Sequence, residues 1–248
     1  LEIIRPQKPS NHLYPLFQLL GNKLQENLEH PYELPNVHLA YRSPYQKHSL
    51  KQSPVYDLQS NPLAFYYVGL FPNPHDKNQQ ITDLPNVTFV LSGAQSIPLA
   101  DESVDVVFMF KSLHHVPMEM METSMREIRR VLKPGGFAYI SEPVFAGEFN
   151  QIMRLFNDEE LVRQAAFNTL KKAVDTGLFD LVEEVFFNSP RKYADFAEFE
   201  NHVINATHAN HRLDQKLYDK VKQTFEKHMG EHGAYFLNPT RVDLLQRP

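Results

Sequence analysis

Val104-Asp-Val-Val-Phe-Met-Phe110 is a nearly continuous apolar run, the pattern of a parallel strand covered on both faces. After it, Met121, Met125, Ile128 and Leu132 recur at three- and four-residue steps, which predicts a helix over Met118 to Leu132 with one buried side. Lys133-Pro-Gly-Gly136 stops that helix, because Pro cannot continue it and Gly accepts the left-handed conformation at its end. Phe137-Ala-Tyr-Ile140 then predicts another strand. Strand, helix, strand in this order requires a crossover in a parallel sheet, so the fold class is α/β.

The flanks extend the same reading. Ala64 to Leu70 and Val87 to Leu91 are β-branched and aromatic and predict strands. Glu148 to Thr176 predicts a helix ending at Gly177, Leu181 to Phe187 a strand, Ala194 to His208 and Leu213 to Met229 two helices, and Arg241 to Leu245 a closing strand. The stretch 148–230 is thus a helical insertion in a domain spanning 57–248. Residues 1–56 form an N-terminal extension rich in Pro, His, Asn and Gln. Within it, Leu13, Leu16, Leu20, Leu24 and Leu28 predict a short amphipathic helix, either packed across a core edge or serving as a lid. Pro31 to Pro54 reads as loop.

Bulk properties narrow the function. A chain of 248 residues fits one α/β domain, and 42% hydrophobic content with 18 Phe and 11 Tyr supplies a core. A net charge of −5 argues against nucleic acid, whose binding rests on clustered Lys and Arg. No run reaches membrane-spanning length, the first residues lack a signal-peptide pattern, and there is no Cys for disulfides or thiolate chemistry. The expectation is a cytoplasmic protein acting on a small molecule, with room for a homodimer or partner-protein contact and none for membrane. Neither a hydrolase Gly-X-Ser-X-Gly element nor a phosphate-binding P-loop is present.

The string Asn86-Val-Thr-Phe-Val-Leu-Ser-Gly-Ala-Gln-Ser-Ile-Pro-Leu, with Asp101-Glu-Ser-Val-Asp105, Leu113-His-His115 and Arg130-Val-Leu-Lys-Pro-Gly-Gly136, resembles the second half of class I S-adenosylmethionine-dependent methyltransferases. The resemblance implies a Rossmann-like sheet with flanking helices and S-adenosylmethionine as cofactor. Upstream the pattern departs. The family's Gly-X-Gly-X-Gly loop lets the backbone approach the cofactor, yet the first 92 residues contain only Gly21 and Gly69. Val55-Tyr-Asp-Leu-Gln-Ser-Asn-Pro62 is the candidate remnant, with Asp57 at the acidic position and Gln59 and Asn61 replacing glycines. In another alignment Tyr66 to Pro72, containing Gly69, is the second strand, and Phe71 replaces its terminal acid. The adenine-side acid is replaced by Gly93. Each lost carboxylate removes a charge-assisted hydrogen bond of about 1.5–3 kcal/mol.

On this resemblance Asp57, Gly69, Gly93, Ala94 and Gln95 face the cofactor, as do Lys111 and Ser112 after the next strand. His114 and His115 sit at the carboxyl-end rim, as general base for a substrate hydroxyl or amine, or as packing under the cofactor loop. Glu142 either orients a substrate or caps the helix that follows. Lys111 is unusual beside a sulfonium and suits an anion better. His202, His208, His211, His228 and His232 complete no zinc pattern, so no metal site is predicted. Asp158-Glu-Glu160 reads as a solvated helix face or as favourable charge at a helix start. Phe186, Phe187, Tyr193, Phe196 and Phe199 read as core rather than substrate cage. Two functions stay open: methyl transfer to a small-molecule oxygen, nitrogen or carbon, or a catalytically dead pseudo-methyltransferase acting as a binding or partner subunit.

Overall fold

The computed structural model describes residues 38–42, 64–69, 87–205 and 213–248, all within the compact unit Asn36–Pro248. Among the described residues eight strands build one sheet. They are β1 His38–Arg42, β2 Ala64–Gly69, β3 Val87–Leu91, β4 Val104–Phe110, β5 Leu132–Pro143, β6 Asp180–Tyr193, β7 Met229–Gly230 and β8 Gly233–Gln246. The order is β3-β2-β1-β4-β5-β8-β6, with β7 paired to β8.

β4 and β5 run parallel, Val107 beside Ala138 and Phe110 beside Ser141. The intervening helix is α1, Met121–Val131, entered through a single 3-10 turn at Met118–Met120. The predicted strand-helix-strand unit is therefore present. At its end Gly135 takes a φ of 77°, and the excursion 133–136 leaves a register shift before Phe137 pairs with Val106. β2 and β3 are also parallel, Gly69 beside Leu91.

Several boundaries differ from expectation. β1 lies inside the stretch read as loop, running antiparallel to both β2 and β4. Its five residues are too few, between prolines, to show an alternation. The helix expected over Glu148 to Thr176 is two, α2 Glu148–Met153 and α3 Glu160–Asp175. Asp158 accepts a bond from the Glu160 N–H at 3.1 Å, so α3 restarts there, and it ends before Gly177 at φ 71°. Ala194 to His208 becomes α4 Phe196–Phe199 followed by a π-helical turn at Glu200–Ile204, and Leu213 to Met229 becomes α5 Gln215–Glu226. β6 and β8 each run 14 residues, far beyond the apolar cores that announced them. The leucine helix of residues 13–28 lies outside the described residues.

One sheet face, Val107, Met109, Ala138, Ile140 and Leu245, packs under Met121, Met125 and Ile128 of α1 and Ala166, Leu170 and Ala173 of α3. A second cluster joins Phe149, Tyr193, Phe196, Phe199, Phe225 and Phe236, with neighbouring rings 4.8–6.3 Å apart. Tyr193, Phe196 and Phe199 are core as expected. Phe186 and Phe187 are not; they are 42% and 38% exposed on the terminal strand of the sheet. No helix of the described residues is long and apolar enough to cross a membrane.

Gly233 begins β8 at φ 95°, and a Cβ there would run into the Tyr193 carbonyl. Gly233→Ala is expected to destabilise the fold by about 2–3 kcal/mol. A urea denaturation midpoint equal to that of the parent protein would contradict this geometry.

Candidate functional site

Strand register sets the site. Gly69 ends β2 beside Leu91, Phe110 ends β4 beside Ser141, and His38 pairs with both Val68 and Met109. The carboxyl ends of β2, β3, β4 and β5 therefore share one edge of the sheet. Along it stand Gly69, the Ser92–Gln95 turn, Lys111 and Ser112, the His114–His115 turn and Glu142. Asp57 lies outside the described residues.

Glu142 is the best-determined group. It is buried at 6% exposure, and one oxygen accepts bonds from the Ser112 N–H at 3.0 Å and the Leu113 N–H at 2.7 Å. Its other oxygen pairs with His114 Nδ1. Glu142 does not cap the following helix, whose N-cap is Gly147; it is committed to the turn after β4. His114 is buried by that bond, whereas His115 is exposed, and their rings lie 4.1 Å apart.

Lys111 adopts a φ of 51°, a left-handed conformation that costs a non-glycine residue energy and clusters at functional sites. Burial pushes its ammonium down to about 8, aided by the Arg191 and Arg163 charges and opposed by Glu142.

Arg163 and Glu159 carry chemistry that the sequence did not reveal. Glu159, immediately before α3, accepts two bonds from Arg163 at 3.1 and 2.6 Å and one from Asn157 at 3.0 Å. Arg163 also donates to Asn150 at 2.7 Å. Burial alone would raise the Glu159 carboxyl, but Arg163, His114 and His115 hold it below its ordinary range. An i,i+4 Glu-Arg pair at a helix start was the available signal, masked by the acidic run around it. The run does sit at a helix start, yet Glu159 is not a solvated member of it: its side chain is only 17% exposed.

The other side of the rim is held from α1. Arg130 donates to the carbonyls of Ile97 at 2.7 Å and Leu99 at 2.8 Å and to Asp101 at 2.7 Å. Glu127 pairs with Arg130 and accepts the Ile97 N–H at 3.0 Å. These bonds fix the segment after Ala94 and Gln95. Ala94 is buried, and the Gln95 carboxamide fills the space where a Gly93 side chain would stand.

Among the described residues the scattered histidines do not converge: His228 lies 3.5 Å from Glu148, His202 stands 3.9 Å from Glu198, and α5 ends before His228, so His228 and His232 share no helix. His208 and His211 lie outside the described residues.

A family model described as methyltransferase domain matches residues 56–140, from the candidate glycine-loop remnant to β5. An uncharacterized methyltransferase of Mycobacterium bovis is 35% identical over 86 residues, 34% of this chain and 33% of that protein. A counterpart in Mycobacteroides abscessus is 33% identical over 89 residues, with 34% and 33% covered. The matched stretch thus spans about a third of the relatives' own length. Among solved structures, the YcgJ protein of Bacillus subtilis aligns over 73% of this chain and 81% of its own, with a TM-score of 0.51 and 14% identity. That likeness is one of fold, and it extends well beyond residues 56–140.

Lys111 supplies a pH test. Its folded-state value lies below the unfolded one, so between about 8 and the ordinary lysine range the unfolded chain binds more protons and stability rises with pH. Acylation of Lys111 followed by mass spectrometry is expected to titrate with a midpoint near 8, and Lys111→Met to flatten the pH-stability slope in that window. A midpoint at the ordinary lysine value would show that burial does not act as described.

Proposed function

We propose that the protein binds S-adenosylmethionine across the carboxyl ends of β3 and β4 and transfers its methyl group to a small-molecule oxygen, nitrogen or carbon nucleophile in the cytoplasm. The observation that carries this reading is the coincidence of the methyltransferase segment with a rim on which the implied cofactor-facing residues Gly69, Gly93, Gln95, Lys111 and Ser112 come together.

Two buried polar atoms at that rim, Gln95 Oε1 and Ser112 Oγ, have no hydrogen-bond partner among the described residues. Native proteins pair such groups, so each is suited to a polar ligand. Gln95 occupies the space of the missing acid at 93, putting an uncharged acceptor where the resemblance places a carboxylate. The described half of the site therefore fits the cofactor, with Ala94 and Gln95 on the adenine side and Ser112 on the amino-acid side. Lys111 suits the carboxylate end and opposes the sulfonium.

The cofactor, when bound, supplies an electrophilic methyl on sulfur. The protein's part is alignment, because in-line transfer to a good nucleophile depends mainly on positioning. Glu142 and His114 hold the turn after β4 in place. His115, exposed at the same turn, is the group suited to take a proton from an acceptor hydroxyl or amine. A second reading, a pseudo-methyltransferase serving as a binding or partner subunit, is favoured by Gly93, which carries no carboxylate, and by the Lys111 cation.

Calorimetric titration of the purified chain with S-adenosylmethionine separates the two. Micromolar affinity is expected, weakened about tenfold or more by Gln95→Ala, equivalent to roughly 1.4 kcal/mol. No heat at millimolar cofactor would defeat the enzyme reading, and an affinity indifferent to Gln95→Ala would remove Gln95 from the site.

A further inference from the structure

We propose that His114, His115 and Glu159 form a binding site for a divalent cation of the zinc class. This goes beyond methyl transfer and does not depend on it; with the ion bound His115 is a ligand, so its proton-accepting role belongs to the ion-free chain. The three residues each bring one donor atom within 4.8 Å of the others. Two come from the turn after β4 and the third from the start of α3, so the site joins two elements of the fold. Tetrahedral coordination at about 2.0–2.2 Å per bond needs donors somewhat closer than this. His115, exposed at the surface, has room to make the adjustment.

Outer partners make this cluster more than a chance meeting of polar side chains. A metal-binding histidine typically gives its second ring nitrogen to a carboxylate, which fixes the ring and raises its basicity. His114 has that arrangement: Nδ1 meets Glu142, and Glu142 is itself anchored by the Ser112 and Leu113 N–H groups. Nε2 is then the ring's ligand atom. Glu159 is oriented in the same manner by Arg163 and Asn157, and Arg163 in turn by Asn150. Both the buried imidazole and the carboxylate are therefore held before any ion arrives.

The donor set selects the ion. Two imidazoles and one carboxylate, in a chain with no Cys, suit Zn²⁺ or Co²⁺ rather than Mg²⁺ or Ca²⁺, which take oxygen. Three protein ligands leave a coordination position open for water or an acceptor oxygen.

The test uses the full chain, stripped with a chelator and titrated with Co²⁺ in the absence of S-adenosylmethionine, so its outcome is separate from cofactor binding. The visible d–d bands of four-coordinate cobalt are expected to saturate at one ion per chain and to vanish when Zn²⁺ is added. His115→Ala on the turn and Glu159→Gln at the start of α3 should each weaken binding tenfold or more. Glu142→Gln, which removes the carboxylate that orients His114 while keeping an oxygen for the Ser112 and Leu113 N–H groups, should weaken it by a similar factor. His228→Ala should leave binding unchanged, with circular dichroism confirming that every variant is folded. No cobalt spectrum at millimolar ion would overturn the proposal. So would affinity unchanged by His115→Ala or lost with His228→Ala.

Discussion

The arrangement of the rim depends on one carboxylate. Glu142 lies one residue before the end of β5, in a buried position where an unpaired charge would cost several kcal/mol. Two backbone N–H groups and a histidine ring compensate it, all from the turn that follows β4. The parallel pairing of β4 and β5 is thereby extended past the end of the ladder into the loop. The left-handed Lys111 immediately before is tolerable for the same reason, because the residues on either side of it are fixed by bonds of their own. Loops at the ends of parallel strands usually vary; here the loop is bound to the sheet as firmly as a strand.

The opposite side of the rim is held by different chemistry. Arg130 and Glu127 project from α1 to grip the Ile97–Asp101 segment through carbonyls and one carboxylate. The apolar face of the same helix, Met121, Met125 and Ile128, builds the core. A single helix therefore sets both the height of the sheet and the position of the turn after β3. Residues recognised as a string in the sequence are joined in space by this division of roles. Glu127 and Arg130 hold the loop, Ile128 and Val131 fill the interior, and Gly135 and Gly136 release the chain into β5.

Much of this was legible because it is local. The run Val104–Phe110, the heptad-like spacing of α1 and the Pro-Gly-Gly stop each announce themselves within a few residues. The terminal extents of β6 and β8 do not, since Asn188–Tyr193 alternates with no apolar period and is strand only because β8 lies beside it. The break between α2 and α3 was hidden for a related reason: nothing in 154–159 forbids helix, and the interruption is marked only where Asp158 accepts the Glu160 N–H and α3 restarts. In the site, the rim residues of β4 and β5 followed from strand ends. Glu159 and Arg163 did not, because their partners come from a helix start more than forty residues away from the histidines in sequence.

The two adjacent histidines show what a sequence doublet leaves undecided. Successive residues of a 3-10 turn are rotated by about 120°, so neighbours in the chain cannot share one environment. Which of the pair faces inward is set by Glu142, whose oxygen lies on the sheet side and fixes His114 there. His115 is then turned outward, beside Glu159 and the start of α3. The buried ring stabilises the turn and the other faces outward, although the two residue types are identical. An exchange of roles would require the carboxylate to move, and it cannot move without leaving the Ser112 and Leu113 N–H groups unpaired in the interior. The reactivity of this rim is in that sense decided on β5, by a residue that need touch no substrate.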